Sequence, residues 1–432
     1  MYGGYLNRVA LPNRIRDPIH GFIHYDDREA EIIDHLYFQR LRRIKQLGFT
    51  FYVYPGANHT RFEHSLGVME LVTKALELLI IKRKNIIRKN FKGLGLSIEE
   101  GVKVARLSAL LHDVGHFAFS HSGEGIYPDR KKHEDASAAI ISETGLKKIL
   151  EKNFFSGIAD YIISLLIGTP PPELWFIKNL LSGQIDLDRT DYLVRDSLFC
   201  GVGYGNFDYN RFIECLTIVK SRKGSLEIAV DRGGVHTIES LILARYYMFS
   251  QVYFHRIRSL YDHYFGEFLK GWITTRRGKK FKKLVDVLNF DDVSIWRDIV
   301  ETAGKAGPIQ KETARTLLER GRHHRWVYET SDHAQAEELG DIRDKKGLLD
   351  SKYPGAEVFI IDSGGQNIHK FAVKPEEDVP LDQLIVLDRK GHKHDIINES
   401  PVLETLPKEF RVIRLYAKGT DDEIERMRRL VH

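Results

Sequence analysis

The amino-acid sequence predicts a mostly α-helical core over residues 1–275, opened by a short hairpin, and a smaller α+β region over residues 276–432. Apolar residues recur at helical spacing in long segments of the first part, and two of these segments begin with capping boxes, at 60–63 and 97–100. Beyond about residue 278 the composition becomes more charged. Strand-like runs, separated by charged turns, follow at 357–362, 384–387 and 410–415.

The composition is that of a globular protein without disulfide bonds. Of the 432 residues, 42% are hydrophobic and 29% charged. Basic residues outnumber acidic ones by 65 to 60; this small excess is weak evidence for nucleic acid and is compatible with a basic pocket for a small anion. The two cysteines, Cys200 and Cys215, form neither a disulfide framework nor a CxxC metal pair. The first residues lack the apolar core of a signal peptide, and no apolar run is long enough for a membrane span, so we expect a cytoplasmic protein.

The stretch 105–122, ARLSALLHDVGHFAFSHS, carries the strongest chemical signal. It places the adjacent pair His112 and Asp113 at the end of an apolar helix, with His116 about one turn later and His121 in the following loop. Neutral imidazole and carboxylate are both good ligands for Zn, Mn, Fe or Mg. A single histidine in an apolar helix is more often a hydrogen-bonded core residue, but the neighbouring aspartate and the two further histidines favour a metal site.

Two other predicted helices carry residues that could bind the same metal. His64 lies in the first turns of the helix that follows the first capping box. Residues 182–203 predict a packed helix with a dense polar stripe. One face of this helix carries Asp188, Tyr192, Arg195 and Asp196. We expect Asp186 and Asp191 to point elsewhere. A surface salt-bridge network is the alternative explanation of the stripe, but unpaired charge on an apolar helix is costly, and a metal would remove that cost.

Two basic surfaces are further candidates for contact with an anion. The segment 28–47 predicts a helix with a basic face, for which solvated charge and phosphate contact are equally good explanations. That face consists of Arg40, Arg42, Arg43 and Lys45. The aromatic-rich segment 238–269 predicts a long helix whose basic and aromatic side chains could face a nucleotide, although core packing explains most of its aromatic residues. The candidates on it are Arg245, Tyr253, His255, Arg256 and Arg258.

Taken in order, these motifs resemble the HD-domain phosphohydrolases. The resemblance is closest to the deoxynucleoside triphosphate triphosphohydrolases, which include bacterial dGTPase-like enzymes and the vertebrate HD-domain dNTPase. The matching segments are DPIHG at 17–21, FQRLRRIKQLG at 38–48, YPGANHTRFEHSLGV at 54–68, LLHDVGHFAFSH at 110–121, HE at 133–134 and IDLDRTDYLVRD at 185–196. The resemblance covers roughly residues 13–265 and is faint beyond them, near 409–418. It implies a mostly α-helical HD-domain core with a smaller α+β C-terminal region.

The resemblance implies one divalent cation, without distinguishing Mn, Fe, Mg, Zn and Ni. The implied metal ligands are His64, His112, Asp113 and Asp188. His116 and His121 would lie near the scissile phosphate, and His133 would be the general acid. Glu124 occupies the place of the acid that orients His121, and it is one methylene longer than the aspartate of the vertebrate enzyme.

The implied substrate is a deoxynucleoside triphosphate, cleaved between the α-phosphate and the 5′ oxygen to give a deoxynucleoside and triphosphate. The cation would polarise an α-phosphate oxygen. Arg61, with help from Arg245, would hold the phosphates, and Gln46 and Leu47 would lie where a missing 2′-hydroxyl is sensed. The sugar pocket would be completed by Tyr192, Asp196 and Tyr253.

The resemblance also implies regulation and assembly. Family members are often homo-oligomers that respond to a nucleotide at a second site. The positions that read a guanine nucleotide in the vertebrate relative are here Asp34, Gln39 and Arg42. An ordinary helix surface is the alternative explanation of these three residues. We expect the C-terminal region to contribute contacts between subunits.

Two other functions stay open at this point. The first is an HD phosphodiesterase or nucleotidase that acts on a monophosphate or a cyclic nucleotide; the motif around Arg61 and the Gln46–Leu47 pair favour a triphosphate instead. The second is a nucleic-acid-binding or scaffolding protein with an inactive HD site, although every expected ligand position is filled. Release of inorganic triphosphate would exclude the first, and salt-dependent binding of single-stranded DNA without hydrolysis would favour the second.

Overall fold

The structure is a computed structural model that describes residues 11–221, 224–275, 281–305, 307–369, 371 and 384–432. It begins with the predicted hairpin, in which β1 (Asn13–Asp17) pairs antiparallel with β2 (Gly21–Tyr25). The turn is stabilised by Asp17, whose Oδ1 accepts hydrogen bonds from the backbone N–H groups of Ile19 and His20 at 2.8 and 2.9 Å. Gly21 closes it with a φ of +76°, a conformation that favours glycine.

Helices dominate the part of the chain that follows. They are α1 (Asp27–Ile33), α2 (Leu36–Gln39), α3 (Arg61–Gly93), α4 (Ile98–Leu111), α5 (His133–Glu143), α6 (Leu146–Asn153), α7 (Ile158–Leu166), α8 (Trp175–Ser182), α9 (Leu187–Cys200), α10 (Tyr209–Cys215), α11 (Val235–Met248) and α12 (Arg256–Ile273). The two predicted capping boxes start α3 and α4. The long helix α3 packs against both α4 and α9, which brings the predicted ligands of three helices to one place. Among the described residues, no helix has the length and apolar character that crossing a membrane requires.

The C-terminal part combines helices with small sheets. Its helices are α13 (Asp292–Lys305), α14 (Pro308–Leu318), α15 (Ala336–Lys352), α16 (Ile396–Glu399), α17 (Pro401–Thr405) and α18 (Asp421–Val431). The strands after the hairpin are β3 (Leu216–Lys220), β4 (Leu226–Asp231), β5 (Arg325–Glu329), β6 (Val358–Asp362), β7 (Gln366–Asn367), β8 (Ile385–Leu387), β9 (Lys393–Asp395), β10 (Glu409–Phe410) and β11 (Ile413–Ala417). They form one sheet in the order β5-β11-β6, another in the order β3-β4-β8-β9, and the pair β10-β7.

The main hydrophobic core crosses the predicted boundary at residue 275. It contains Leu110 and Phe265 from the helical part together with Phe290 and Phe410 from the C-terminal part. A smaller core lies between the β5-β11-β6 sheet and its covering helices. The predicted fold class, a mostly helical core with a smaller α+β region, is confirmed. The division into domains at 275 stays a prediction.

Two predicted long helices are interrupted. The segment 28–47 forms α1, α2 and a single 3₁₀ turn at Arg40–Arg43. The segment 238–269 breaks after α11 into a π-helical turn at Phe249–Tyr253, and α12 begins only after His255, whose Nδ1 accepts a hydrogen bond from the backbone N–H of Ile257 at 3.2 Å. Single π turns inside helices are frequent at functional sites, and this one carries Tyr253.

A buried ionic cluster joins α1 to α4. Arg106 makes a bidentate contact with Glu29, from Nε to Oε1 at 2.7 Å and from Nη2 to Oε2 at 3.0 Å. Lys103 Nζ adds a third bond to Glu29 Oε1 at 2.8 Å, and Arg106 Nη1 donates to Thr73 on α3 at 2.6 Å. Burial favours the neutral form of Glu29, but Arg106 and Lys103 outweigh burial and lower the pKa of Glu29. Glu29 therefore pairs with both cations, and Asp26 adds a second acid through its contact with Lys103 Nζ at 2.9 Å.

Candidate active site

The four predicted metal ligands lie together where α3, the end of α4 and the start of α9 meet. His64 Nε2 lies 3.0 Å from Asp188 Oδ1 and 3.7 Å from Asp113 Oδ2. His112 Nε2 lies 3.3 Å from Asp113 Oδ1 and 3.8 Å from Asp188 Oδ1. The ligand atoms of His64, His112 and Asp113 are all within 4.8 Å of one another. These three side chains could therefore hold one ion, and Asp188 lies close enough to His64 and His112 to be a further ligand.

The protonation pattern of this cluster also fits a cation. His112 Nδ1 lies 2.7 Å from the carbonyl oxygen of Ala109, which assigns its proton to Nδ1 and leaves Nε2 as a buried acceptor without a hydrogen-bond partner in the described chain. Burial opposes charge on His64, but its hydrogen bonds with Asp188 and Asp191 outweigh burial and raise its pKa to about 10. A proton on His64 thus balances carboxylates that a divalent cation could balance instead.

Asp191 holds His64 from the side opposite the cluster. Its Oδ2 accepts a hydrogen bond from His64 Nδ1 at 2.8 Å, and its Oδ1 lies 2.6 Å from His20 Nε2. Arg195 donates to both oxygens of Asp191 at 2.8 and 2.9 Å, and its Nη1 donates to Asp17 at 2.8 Å. Carboxylates that orient metal-binding histidines in this way are common around metal sites. The prediction that Asp191 points elsewhere is wrong, because it lies three residues after Asp188 and shares the face of α9 that packs on α3.

Gly67 on α3 makes this close approach of α9 feasible. A Cβ at Gly67 would lie 2.0 Å from Asp191 Oδ1 and 2.4 Å from Arg195 Nη2. Any larger residue would therefore displace the pair that orients His64. Gly67 and Asp191 both lie inside matched motifs, but the contact between them depends on how the helices pack.

A second cluster surrounds Glu124. Its Oε1 accepts hydrogen bonds from His121 Nδ1 at 3.0 Å and from His133 Nδ1 at 2.5 Å. His116 stacks on His133 with ring centres 3.8 Å apart and planes 20° apart, and its Nε2 lies 3.3 Å from Asp113 Oδ1. The ligand atoms of His116, His121, Glu124 and His133 lie within 4.8 Å of one another, so this group could also hold an ion. The hydrogen bonds that Glu124 accepts from His121 and His133 favour proton handling at this cluster.

The charges of this cluster are set by its surroundings. Burial favours a neutral Glu124, but the hydrogen bonds from His121 and His133 outweigh it and hold the pKa of Glu124 well below its usual range. Burial also opposes charge on His133, and Glu124 outweighs it and raises the pKa of His133. Burial, Arg61 and His133 together lower the pKa of His116 far below the ordinary value. The surroundings thus favour the protonated form of His133 and the neutral form of His116.

Arg61 connects the two clusters. Its Nη1 donates to Asp113 Oδ2 at 2.6 Å, and its Nε donates to Ser120 Oγ at 2.8 Å. The side chain is buried, with 4% of its surface exposed. A buried guanidinium beside a carboxylate is expensive to displace, so Arg61 is a fixed positive charge at the centre of the site.

The predicted sugar-pocket residues form a continuous row next to His64. The ring of Tyr192 lies 6.4 Å from that of His64 and 6.1 Å from that of Tyr253. Tyr253 donates its hydroxyl proton to Asp196 Oδ2 at 2.6 Å, and Asp196 Oδ1 lies 2.7 Å from His59 Nε2. His59 was not selected from the sequence, although it lies inside the motif 54–68.

Gln46 and Leu47 are both buried. The backbone N–H of Gln46 donates to the His59 carbonyl at 3.0 Å, and its side-chain Oε1 is buried without a hydrogen-bond partner in the part of the chain that the structure describes. An unpartnered buried amide oxygen is costly and indicates a polar group that could bind there.

Arg245 is also buried, and its Nη1 donates to the carbonyl of Ile368 at 3.0 Å. Burial lowers the pKa of Arg245, and the nearest groups that act on it include Tyr192 and Arg189. Arg189 and Lys178 both interact electrostatically with Asp188. These two cations were not selected from the sequence; Lys178 lies outside every matched motif.

The three predicted regulatory residues lie on one surface. Gln39 Nε2 donates to the Ile33 carbonyl, and Gln39 Oε1 accepts from Arg42 Nε, both at 2.8 Å. The Arg42 guanidinium lies 3.4 Å from the ring centre of Phe62. Asp34 and Arg42 are exposed, and both interact electrostatically with Tyr25. This surface is open to a ligand, and a regulatory role for it stays a prediction.

Comparisons with known proteins agree with this geometry. Residues 61–195 match the HD domain, and residues 207–348 match the HD associated region. An uncharacterized protein of Methanocaldococcus jannaschii is 35% identical over 65% of this chain and 53% of its own length. The human deoxynucleoside triphosphate triphosphohydrolase SAMHD1 is 29% identical over 94% of this chain and 70% of its own length. The chain thus spans about half the length of the microbial relative.

Two crystal structures share the fold. A hypothetical protein from Aquifex aeolicus superimposes with a TM-score of 0.75 at 26% identity, covering 97% of this chain and all of that one. A phosphohydrolase from Bacteroides thetaiotaomicron superimposes with a TM-score of 0.71 at 23% identity, covering 94% of this chain and all of that one, and this similarity shows the fold alone. The chain therefore contains an HD domain, which carries all four predicted metal ligands, followed by an HD associated region.

Proposed function

We propose that this protein hydrolyses deoxynucleoside triphosphates to a deoxynucleoside and inorganic triphosphate, with one divalent cation bound by His64, His112, Asp113 and Asp188. One observation carries the proposal. The buried carboxylate of Asp113 lies beside His64 and His112, and it also lies 2.6 Å from Arg61 and 3.3 Å from His116. A cation site, a phosphate-binding guanidinium and a proton-handling cluster therefore share one side chain. The similarity to SAMHD1 supports the choice of substrate.

Each of these residues has a definite task in such a reaction. A bound divalent cation supplies positive charge that polarises a phosphoryl oxygen. Arg61 offers guanidinium N–H groups to the phosphates and offsets charge that gathers on them. His133, kept protonated by Glu124, donates a proton to the departing 5′ oxygen as water attacks the α-phosphorus. Tyr192, outside these clusters, packs against the sugar.

The substrate is tested by a panel of dNTPs and NTPs, each with Mn or Mg, and read by the identity of the products. We expect deoxynucleoside and inorganic triphosphate in equal amounts from dNTPs, and slower turnover of NTPs. Products that consist of a nucleoside and orthophosphate from monophosphates, or of opened cyclic nucleotides, would contradict the proposal. The variant Asp188→Asn, measured in parallel, excludes a contaminating phosphatase.

We also propose that Asp34, Gln39 and Arg42 bind an effector nucleotide. The support is their common exposed surface beside the ring of Phe62, which lies on the same helix as His64. In the same panel, added GTP or a second dNTP should change the turnover of the first. A flat response to every effector would count against this site. The cytoplasmic location and the homo-oligomer, with contacts from the C-terminal region, stay predictions.

Replacing Glu124 by glutamine should shift the pH dependence of turnover. The substitution removes the Glu124 carboxylate, whose hydrogen bond is the largest of the interactions that raise the pKa of His133. That pKa should therefore fall. The alkaline limb of the kcat profile should then begin at a lower pH than in the unmodified protein. An unchanged profile would exclude His133 as the general acid. Glu99→Gln, which changes an exposed carboxyl on α4, is the control.

The same variant gives a stability readout with a defined sign. Because its pKa is raised on folding, His133 stabilises the folded protein fully below its unfolded-state pKa of about 6.5. This stabilisation is lost as pH rises through the folded-state pKa. The lowered pKa of Glu124 means that its contribution is lost only in acid. The difference in Tm between the two proteins should therefore be largest near pH 6, in line with those reference values, and shrink as pH rises.

A further inference from the structure

Arg40 donates hydrogen bonds to the backbone of the turn that follows α4. Arg40 Nη2 donates to the carbonyl of His116 at 2.6 Å, and Nη1 donates to the carbonyl of Val114 at 3.3 Å. Its Nε donates to the carbonyl of Phe290, just before α13, at 2.7 Å. One side chain thus connects the backbone of His116, a candidate catalytic residue, with the backbone just before α13.

Other side chains complete this support. The Tyr127 hydroxyl donates to the Gly115 carbonyl at 2.7 Å, and Ser137 Oγ donates to the His112 carbonyl at 2.7 Å. These carbonyls lie at and beyond the end of α4, where the helix itself offers them no donors. Because the turn is buried, water cannot replace the side chains, and the position of the turn depends on them.

The charge of Arg40 is unusual for its surroundings. The side chain is buried, and its hydrogen-bond partners in the described part of the chain are the three backbone carbonyls, with no carboxylate among them. Burial lowers the pKa of Arg40 to about 10, so it stays protonated at neutral pH. Asp291 and Asp292 offset part of the desolvation cost electrostatically, while the hydrogen bonds of Arg40 go to the backbone of the turn and of Phe290.

The next part of the loop is held in a strained conformation by α13. Asp292, the first residue of α13, accepts hydrogen bonds from the backbone N–H groups of Phe119 at 2.7 Å and Lys45 at 2.9 Å. Phe119 and Ser120 have φ values of 59° and 56°, which residues other than glycine rarely adopt. Such conformations persist where the surroundings impose them, and they concentrate at functional sites.

We propose that Arg40 is a positioning residue that holds the backbone of His116 so that its ring stays between Asp113 and His133. This inference rests on the proposed function, because it gives His116 a role in turnover. Among the described residues, Arg40 is the one side chain that donates to both the Val114 and the His116 carbonyl, and its planar guanidinium holds these donors in a fixed geometry that a lysine ammonium lacks. In the described part of the chain, the guanidinium of Arg40 hydrogen-bonds to backbone carbonyls and to none of the side chains proposed as metal ligands.

The test compares Arg40→Lys with Arg43→Lys. Arg43 lies in the same 3₁₀ turn, but its side chain is half exposed and pairs with Asp291 at 2.6 Å. We expect Arg40→Lys to lower kcat by about 10- to 100-fold, with KM and bound metal unchanged, as for other groups that orient site residues. Arg43→Lys should change kcat by less than about twofold, as most surface substitutions do. Equal kcat values for the two variants would overturn the proposal, and so would a loss of metal and of kcat together.

A second readout is independent of turnover. In ¹⁵N-histidine-labelled protein, the ring signals of His116, assigned with His116→Gln, should shift in Arg40→Lys and stay in place in Arg43→Lys. Unchanged His116 signals would overturn the proposal even in an active enzyme, whereas shifted signals in a protein that cleaves no dNTP would refute only the proposed function. Arg40→Gln serves as a second variant, and failure of both to fold would assign Arg40 to the core alone and overturn the inference.

Discussion

Replacing Asp113 by alanine is expected to remove both the bound divalent cation and the hydrolytic activity. Asp113 lies within 3.7 Å of His64, 3.3 Å of His112 and 2.6 Å of Arg61, so its loss removes a ligand and the partner of a buried guanidinium. The loss of kcat should exceed the roughly 10- to 100-fold cost of losing a group that only orients a ligand. Metal content by mass spectrometry and kcat on the best dNTP measure both effects.

Two further variants separate chemistry from folding. Asp113→Asn keeps the shape and an acceptor for Arg61 but loses the charge, so it should stay folded and still be inactive. Asp160→Ala changes an exposed aspartate that pairs with Lys147 and should leave metal and activity unchanged. Full activity in a metal-free Asp113 or His112 variant would refute the assignment of the site.

Replacing Glu29 by alanine should lower the free energy of unfolding more than any of the other substitutions described above. Glu29 is fully buried and pairs with both Arg106 and Lys103 in the ionic cluster, where Lys103 also contacts Asp26. Removing one partner of a buried ion pair leaves an uncompensated charge, which typically costs about 3–5 kcal/mol. We expect the free energy of unfolding, measured by denaturant titration, to fall by about that amount.

Arg28→Ala is the matched control for Glu29→Ala. Arg28 lies on the same helix, and its pair with Asp26 at 3.0 Å is half exposed. Such surface pairs contribute about 0–1 kcal/mol. A Glu29 variant as stable as the Arg28 variant would contradict this prediction. It would show that the buried cluster contributes little to the free energy of unfolding and that Arg106 pairs with another group when Glu29 is absent.

The starts of α3 and α4 and the ligand-type residues on them could be read from the sequence, because capping and helical periodicity are local properties. The strand runs near 358 and 385 were located within a residue or two for the same reason. The order β5-β11-β6 could not be predicted, since it depends on pairing between segments far apart along the chain.

Side-chain direction was the main source of error. Arg40, Arg42 and Arg43 look alike in the sequence, yet Arg40 is buried against the turn that follows α4 while the other two are exposed. Asp191 was misplaced for the same reason, because the packing of α9 on α3 decides which polar residues face inwards. The π turn before His255 was also missed, since the aromatic pattern continues through it without a break.

The central claim is that four side chains from three helices bind one cation. Anomalous diffraction at the manganese absorption edge, from crystals grown with Mn, tests it most directly. We expect one strong peak about 2.0–2.3 Å from His64, His112, Asp113 and Asp188, as is usual for nitrogen and oxygen ligands. A peak bound instead by His116, His121 and His133, or no peak near Asp188, would contradict it.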